Sequence, residues 1–152
     1  TRCSNNYGPR QHPEKLIPLM TLNALNNKQL PVYGNGLQIR DWIHVEDHAN
    51  GVLSAMLALY VGRISSGEVF NFGADNEQKN IDIVKKIISQ TSSSDSLINF
   101  VKDRPGHDKR YAMKYNKAEK VLGWKPEIDW DTGLLETIQW YKMNPVWVNS
   151  TK

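Results

Sequence analysis

Residues 38–48, Gln-Ile-Arg-Asp-Trp-Ile-His-Val-Glu-Asp-His, do most to narrow what this chain can fold into. The polar–apolar alternation that opens Gln38–Ile43 reads as a short strand. No turn residue separates it from a following helix, whose first turn carries Glu46 and Asp47 where the helix dipole favours negative charge. Val52, Leu53, Ala55, Met56, Leu57 and Leu59 continue that helix as an apolar set spaced for burial. Arg40 therefore stands on a fixed element rather than on a loop. A guanidinium held this way either pairs with a nearby carboxylate, Asp41 or Glu46, or forms a fork for a bound phosphate.

The flanking sequence builds an α/β chain of small strands interleaved with helices. Thr1–Ser4 reads as the end of a strand, Asn5–Pro9 as a turn, and Leu16–Leu25 as a helix. Leu30–Tyr33 is a short extended piece which, across Gly34-Asn35-Gly36, is able to pair with Gln38–Ile43 as a hairpin. A strand over Glu68–Gly73, a polar loop over Ala74–Asn80 and a helix over Ile81–Thr91 follow. Ser92–Ser96 reads as a mobile loop without function. Leu97–Val101 is a strand, Lys102–Tyr111 a charged loop, and Asn116–Leu122 (stopped by Gly123) and Asp131–Met143 are helices. No repeat and no linker divides residues 1–152, which read as one unit.

The chain has 152 residues, a formal net charge of +3 and one cysteine. That charge is too weak to argue for nucleic acid. Cys3 has no partner for an internal disulfide, which favours a reducing compartment such as the cytoplasm. No apolar run is long enough to span a bilayer, so no membrane partner is expected. The chain begins at Thr1 directly in a dense motif, and reads as a piece of something longer.

Asn5, Lys15, Arg40, Asn76, Arg104 and His107 recur beside turns and element ends, where binding groups are mounted. Amides and cations suit an anionic ligand, and Arg suits phosphate. Local ion pairs are the competing explanation, Arg40 with Asp41 or Glu46 and Arg104 with Asp103 or Asp108. His44 and His48, four apart, lack the glutamate of the hydrolytic zinc motif, and no metal site is expected. Trp42, Trp124, Trp130 and Trp140 read as packing anchors and Cys3 as a packed thiol. No glycine fingerprint for a dinucleotide is present, and no tyrosine is followed four residues later by lysine. No catalytic residue is therefore assigned.

Ser4-Asn5-Asn6-Tyr7-Gly8-Pro9, Pro13-Glu14-Lys15-Leu16-Ile17-Pro18, Gln38–Trp42 with Val45–His48, Asp103–Asp108 with Arg110-Tyr111, Leu122–Pro126 and Thr137–Tyr141 together resemble the dTDP-glucose 4,6-dehydratases. These belong to the extended short-chain dehydrogenase/reductase superfamily. The resemblance covers only the carboxy-terminal half of such an enzyme. It implies a homodimer whose amino-terminal Rossmann domain, absent here, binds NAD and carries the catalytic Tyr-x-x-x-Lys pair. It implies oxidation of glucose at C4 with NAD, loss of water across C5 and C6, and return of the hydride to C6. By the same resemblance, Asn5 meets the substrate diphosphate, and Arg40 and Arg104 clamp it, with Asp41 and Asp103 orienting them. Lys15, Leu16, Pro31 and Tyr33 line the nucleotide pocket, with His107 and Asn76 as further contacts. A UDP-sugar dehydratase or epimerase, and a non-catalytic nucleotide-sugar-binding or interaction module, share the looser parts of the pattern.

Overall fold

The computed structural model describes residues 1–151. The chain opens on β1 (Arg2–Cys3) and β2 (Asn5–Tyr7), turns at Gly8–Arg10 and enters α1 (Leu16–Leu25). β3 (Leu30–Tyr33) leads to β4 (Ile39–His44), which passes without a linker into α2 (Val45–Tyr60). Next come β5 (Asn71–Phe72), β6 (Glu77–Lys79) and α3 (Asn80–Thr91). A 3-10 turn at Asp95–Leu97 precedes β7 (Ile98–Val101) and β8 (Arg110–Tyr111). The helices α4 (Asn116–Leu122), α5 (Trp130–Met143) and α6 (Pro145–Ser150) close the chain. Short strands alternating with helices make it α/β, as the sequence pattern implies.

β4 is the hub. Its second half pairs in parallel with β2, Asn5 opposite Trp42 and Tyr7 opposite His44. Its first half is flanked by antiparallel β6, with Arg40 opposite Gln78, and by parallel β8, with Arg40 opposite Tyr111. Both edges of β4 are thus occupied, which leaves none for β3. The hairpin expected between β3 and β4 does not form. β3 instead pairs in parallel with β7, from Leu30 opposite Ile98 to Tyr33 opposite Val101. Asn5–Tyr7, expected as a turn, is recruited as a strand for the same reason. β6 and β8 likewise lie in stretches expected to be loops, where sparse apolar residues hide strands held by main-chain bonds.

Successive β4 residues point to opposite faces, and here each face has its own core. Trp42 joins Tyr7, Ile17, Met20, Leu30, Val32, Val84, Ile87 and Leu134 beneath α1, α3 and α5. Ile43 joins Ala55, Ala58, Phe70, Phe72, Leu122 and Trp124 beneath α2 and α4. Two buried carboxylates stitch loops to this centre. Asp41 accepts from the backbone N–H of Asn76 at 2.9 Å and of Ala74 at 3.1 Å. Gly73 permits that approach, since a Cβ there would lie 2.1 Å from the Met113 carbonyl and 2.7 Å from Asp41 Oδ2. Asp47 accepts from the N–H of Ile128 at 3.0 Å and of Glu127 at 3.2 Å. Its own carbonyl accepts from Trp124 Nε1 at 3.0 Å. Asp41 is spent on loop 74–76, so it does not orient Arg40.

Three further differences from the sequence reading have physical causes. Ser92 caps α3 in the left-handed conformation, and Ser93 Oγ donates to the Ala24 carbonyl at 3.1 Å, so the serine run ties α3 to α1. α6 goes unseen in the sequence because the six residues that begin at Pro145 carry too little periodicity. α2 buries only Asp47, Gly51, Ala55 and Ala58. Val52, Leu53, Met56, Leu57 and Leu59, expected in the core, line its outer side, with Met56 59% exposed. A helix apolar on both sides is built to be covered on both. Among the described residues no helix is long and apolar enough to cross a membrane.

Two predictions follow from this packing. The 152-residue chain should bind a hydrophobic dye and self-associate through the α2 face. Leu53→Lys with Leu57→Lys should abolish dye binding without lowering the melting temperature, because neither side chain contributes to a core. Dye binding that persists in the double variant would place the exposed apolar surface elsewhere. The second concerns pH. His44 caps α2 by accepting the Glu46 N–H on Nδ1 at 3.3 Å, which a protonated imidazole cannot do. Burial holds both His44 and His48 below their ordinary pKa of 6.5. The unfolded chain then takes up protons near that value that the folded chain refuses, so stability should fall as pH drops through it. Urea midpoints that stay flat between about pH 7.5 and about pH 5.5 would contradict this.

Candidate functional site: a cationic cavity between β2, β3 and the 102–109 loop

A cavity of about 480 Å³ opens where β2, the start of α1, β3, β4 and the 102–109 loop meet, a volume in the range of small-ligand pockets. Eight of the nine residues expected in a site line it: Asn5, Lys15, Leu16, Pro31, Tyr33, Arg40, Arg104 and His107. Five separate segments mount them. Asn5 lies on β2 in register with Trp42, Lys15 and Leu16 start α1, and Pro31 and Tyr33 lie on β3. Three cations, Lys15, Arg40 and Arg104, face one carboxylate, Glu14. Glu14 pairs with Lys15 at 2.8 Å in solvent, and this hydrogen bond lowers its pKa.

The arginines do not form the local ion pairs that compete with a binding role. Arg40 Nη1 donates to the carbonyls of Ile39 at 2.8 Å and Asp108 at 2.9 Å, which fixes the guanidinium plane without neutralising it. The Arg104 guanidinium carbon lies 4.9 Å from the centre of the Tyr33 ring, within reach of a cation–π interaction. Its Nη2 is 3.4 Å from His107 Nε2. Both charges thus remain available to an anion.

Asp103 orients a histidine rather than an arginine side chain. His107 Nδ1 donates to Asp103 Oδ1 at 2.6 Å, leaving Nε2 as an acceptor facing Arg104. The His107 side chain is only 6% exposed and stands edge-on to Tyr33. The His107 bond is also the main reason the Asp103 carboxyl titrates below its ordinary range. Gln38 Nε2 donates to the other Asp103 oxygen at 2.9 Å, and the Arg104 N–H donates to Oδ1 at 2.8 Å. Gly34 makes room for this carboxylate, because a Cβ there would lie 2.8 Å from Asp103 Oδ2 and its φ is +57°. The charged loop is thereby tied to the β3 turn over one side of the cavity.

Asn76 does not reach this cavity. Its amide donates to the Trp42 carbonyl at 3.2 Å and accepts from Gln78 at 2.7 Å, beside a separate cavity of about 320 Å³. Asn80, overlooked in the sequence, lines the cationic cavity instead, and its Oδ1 is buried without a partner. One signal was available. An asparagine directly before the apolar run of α3 has the chemistry of a helix cap, yet the cap is Lys79 and makes no side-chain bond. The Asn80 amide is therefore left over for another task. Gln11 and Glu14 also escaped notice, with nothing in their spacing to mark them, and Trp42, read as a packing anchor, lines the cavity as well.

The remaining candidates have structural places. His48 Nδ1 lies 2.8 Å from Asn6 Oδ1, and Cys3 Sγ accepts from the Asn6 amide at 3.2 Å. Among the described residues no group of three or more His, Cys, Asp or Glu is placed to hold a metal ion. Trp124 packs edge-on against Phe72 and Tyr115, and Trp130 against Tyr7.

Comparison with known proteins places this geometry in a family. The family model described as GDP-mannose 4,6 dehydratase matches residues 1–137. The dTDP-glucose 4,6-dehydratase of Salmonella typhimurium is 47% identical over 159 aligned positions, taking in 100% of this chain and 43% of that protein. The dTDP-glucose 4,6-dehydratase of Bacillus anthracis, solved in complex with NAD, is 46% identical with a TM-score of 0.88, over 99% of this chain and 46% of that one. The Streptomyces venezuelae enzyme of the same name, solved with NAD and TYD bound, is 37% identical with a TM-score of 0.93, over 99% of this chain and 45% of that one. The chain thus spans less than half the length of these relatives. It belongs to the GDP-mannose 4,6 dehydratase family, and within that family it stands with the dTDP-glucose 4,6-dehydratases.

Proposed function

We propose that this chain is the sugar-nucleotide-binding part of a dTDP-glucose 4,6-dehydratase, which converts dTDP-glucose to dTDP-4-keto-6-deoxyglucose with loss of water. The observation that carries this reading is the meeting of Lys15, Arg40 and Arg104 with the Tyr33 ring in one cavity. Fixed cations beside an aromatic face suit a ligand that joins a diphosphate to a flat base. Arg40 and Arg104 hold the diphosphate with help from the Asn5 amide. Leu16, Pro31 and Tyr33 flank the nucleoside, with Lys15 at the mouth. His107, fixed by Asp103, keeps Arg104 in place.

The NAD bound by the relatives does not fit these residues. No glycine-rich turn joins a strand to a helix start among the described residues, so the pyrophosphate cradle of a dinucleotide is lacking. In the whole protein we place NAD, and the groups that act on the sugar carbons, outside this chain. Its own residues supply binding energy and orientation, holding the glucose in register for chemistry done elsewhere.

Two outcomes test the proposal. The 152-residue chain incubated with dTDP-glucose and NAD should give no 4-keto-6-deoxy product, and turnover above background would overturn the division of labour. In the native polypeptide, Arg40→Ala and Arg104→Ala should each weaken dTDP binding by roughly tenfold to a hundredfold, the loss of a charge-assisted bond worth about 1.5–3 kcal/mol. Arg40→Lys should recover only part, because an ammonium keeps the charge without the planar fork. Calorimetry beside thermal melts decides the matter. Unchanged affinity with lowered stability at both sites would make the arginines structural and remove the diphosphate from this cavity.

A further inference from the structure

A second cavity, of about 410 Å³, adjoins the cationic one, and the two share Asn6 and Gln11 in their linings. The chain passes from one to the other twice. Along β2, Asn5 lines only the cationic cavity, Asn6 lines both, and Tyr7 lines only the second. Along the turn before α1, Lys15 and Glu14 line the cationic cavity, Gln11 lines both, and Arg10 and Pro9 line only the second. Asn6 and Gln11 therefore stand where the two cavities meet.

The charge differs sharply across that boundary. The first cavity sets three cations against one carboxylate, whereas the second sets Arg10 against Glu46, with Tyr7, Pro9 and Val45 for the rest of the side-chain lining. An elongated ligand with one anionic and one neutral end matches the pair, anion in the first and neutral polar group in the second. Gln11 is held at the junction. Its Nε2 donates to the Asn6 carbonyl at 2.9 Å, and its backbone carbonyl accepts from Tyr141 OH at 2.5 Å. Its Oε1 is buried with no partner. A buried acceptor without a donor is costly, and a ligand group that supplies the proton relieves it. The group in a neutral polar ligand that does so is a hydroxyl.

We infer that Gln11 reads a hydroxyl of the ligand's glycosyl end, which lodges in the second cavity while the diphosphate stays among the cations. This rests on the sugar-nucleotide reading and adds a specificity-determining residue to it. A site built to bond a hydroxyl discriminates against ligands that lack it more strongly than an apolar pocket does. Tyr141 holds the Gln11 backbone carbonyl, so a small opening movement of the side chain suffices to present the buried Oε1.

The test is a cycle between a substitution and single hydroxyl deletions, read by calorimetry on the native polypeptide. Gln11→Met keeps the length of the side chain and removes the acceptor. It should weaken dTDP-glucose binding at least about fivefold and dTDP binding less than about twofold. Among monodeoxy analogues of dTDP-glucose, one should already bind weakly to the unsubstituted protein and lose nothing further in Gln11→Met. Gln11→Leu, which also removes the acceptor, should give the same pattern and serves if Gln11→Met fails to fold. Equal weakening of dTDP and dTDP-glucose, or the absence of any analogue that blunts the substitution, overturns the assignment. If dTDP itself does not bind the unsubstituted protein, the sugar-nucleotide reading fails, which is a separate result.

Discussion

Everything in this chain hangs on a six-residue strand that is wanted by three neighbouring strands at once. β4 is paired along both edges and packed on both faces, and Asp41, Trp42, Ile43 and His44 are all buried in succession. A strand so enclosed has no freedom of register, because a slip of one residue would exchange Trp42 and Ile43 between two differently shaped cores. That rigidity is what fixes Arg40. Its guanidinium leaves the strand one residue before the buried Asp41 and is trimmed by two backbone carbonyls, so its direction is set before any ligand arrives. Preformed geometry of this kind spares a ligand the ordering of long side chains.

The elements with strong periodicity or end signals were legible in the sequence. α1, α3, α4 and α5 lie within a residue of where apolar spacing puts them, and β4 runs into α2 as its sequence implies. The edges were not legible. β2, β6 and β8 have two or three residues each and exist because β4 offers them main-chain partners, a tertiary cause invisible to local pattern. The false hairpin has the same origin. A Gly-Asn-Gly turn is a sound local signal, but it was overruled by competition for the edges of β4.

The candidate site divides along similar lines. Arg40 and Arg104 could be weighed one at a time, and residue types alone favoured a local ion pair for each. Their convergence needed the parallel pairing of β3 with β7, which swings the 102–109 loop over Tyr33. Asn76 and Asn80 show the limit of reading by type. Both are asparagines beside a turn, and only the backbone decides that one clips Trp42 while the other turns to the cavity. The acids beside the arginines misled in the same way. Asp41 and Asp103 are adjacent in sequence to the guanidiniums, yet they serve backbone N–H groups, a glutamine and a histidine.

The long-range pairing of β3 with β7 has a consequence for how binding competence arises. Tyr33 ends β3 and Arg104 follows shortly after β7, and the partnership of these two strands closes nearly half of the chain into a loop, a closure that is entropically expensive and slow to find. A partly folded chain can therefore possess α1, α3 and most of the first core and still have no cavity to offer. Ligand affinity and completion of the fold become two readings of one event, so an occupied cavity holds β7 in place as firmly as β7 holds the cavity. A ligand that fills the cavity would then act on this chain as a selective stabiliser of its last-formed contacts, slowing their opening while leaving the distant α2–α4 side to exchange at its own rate.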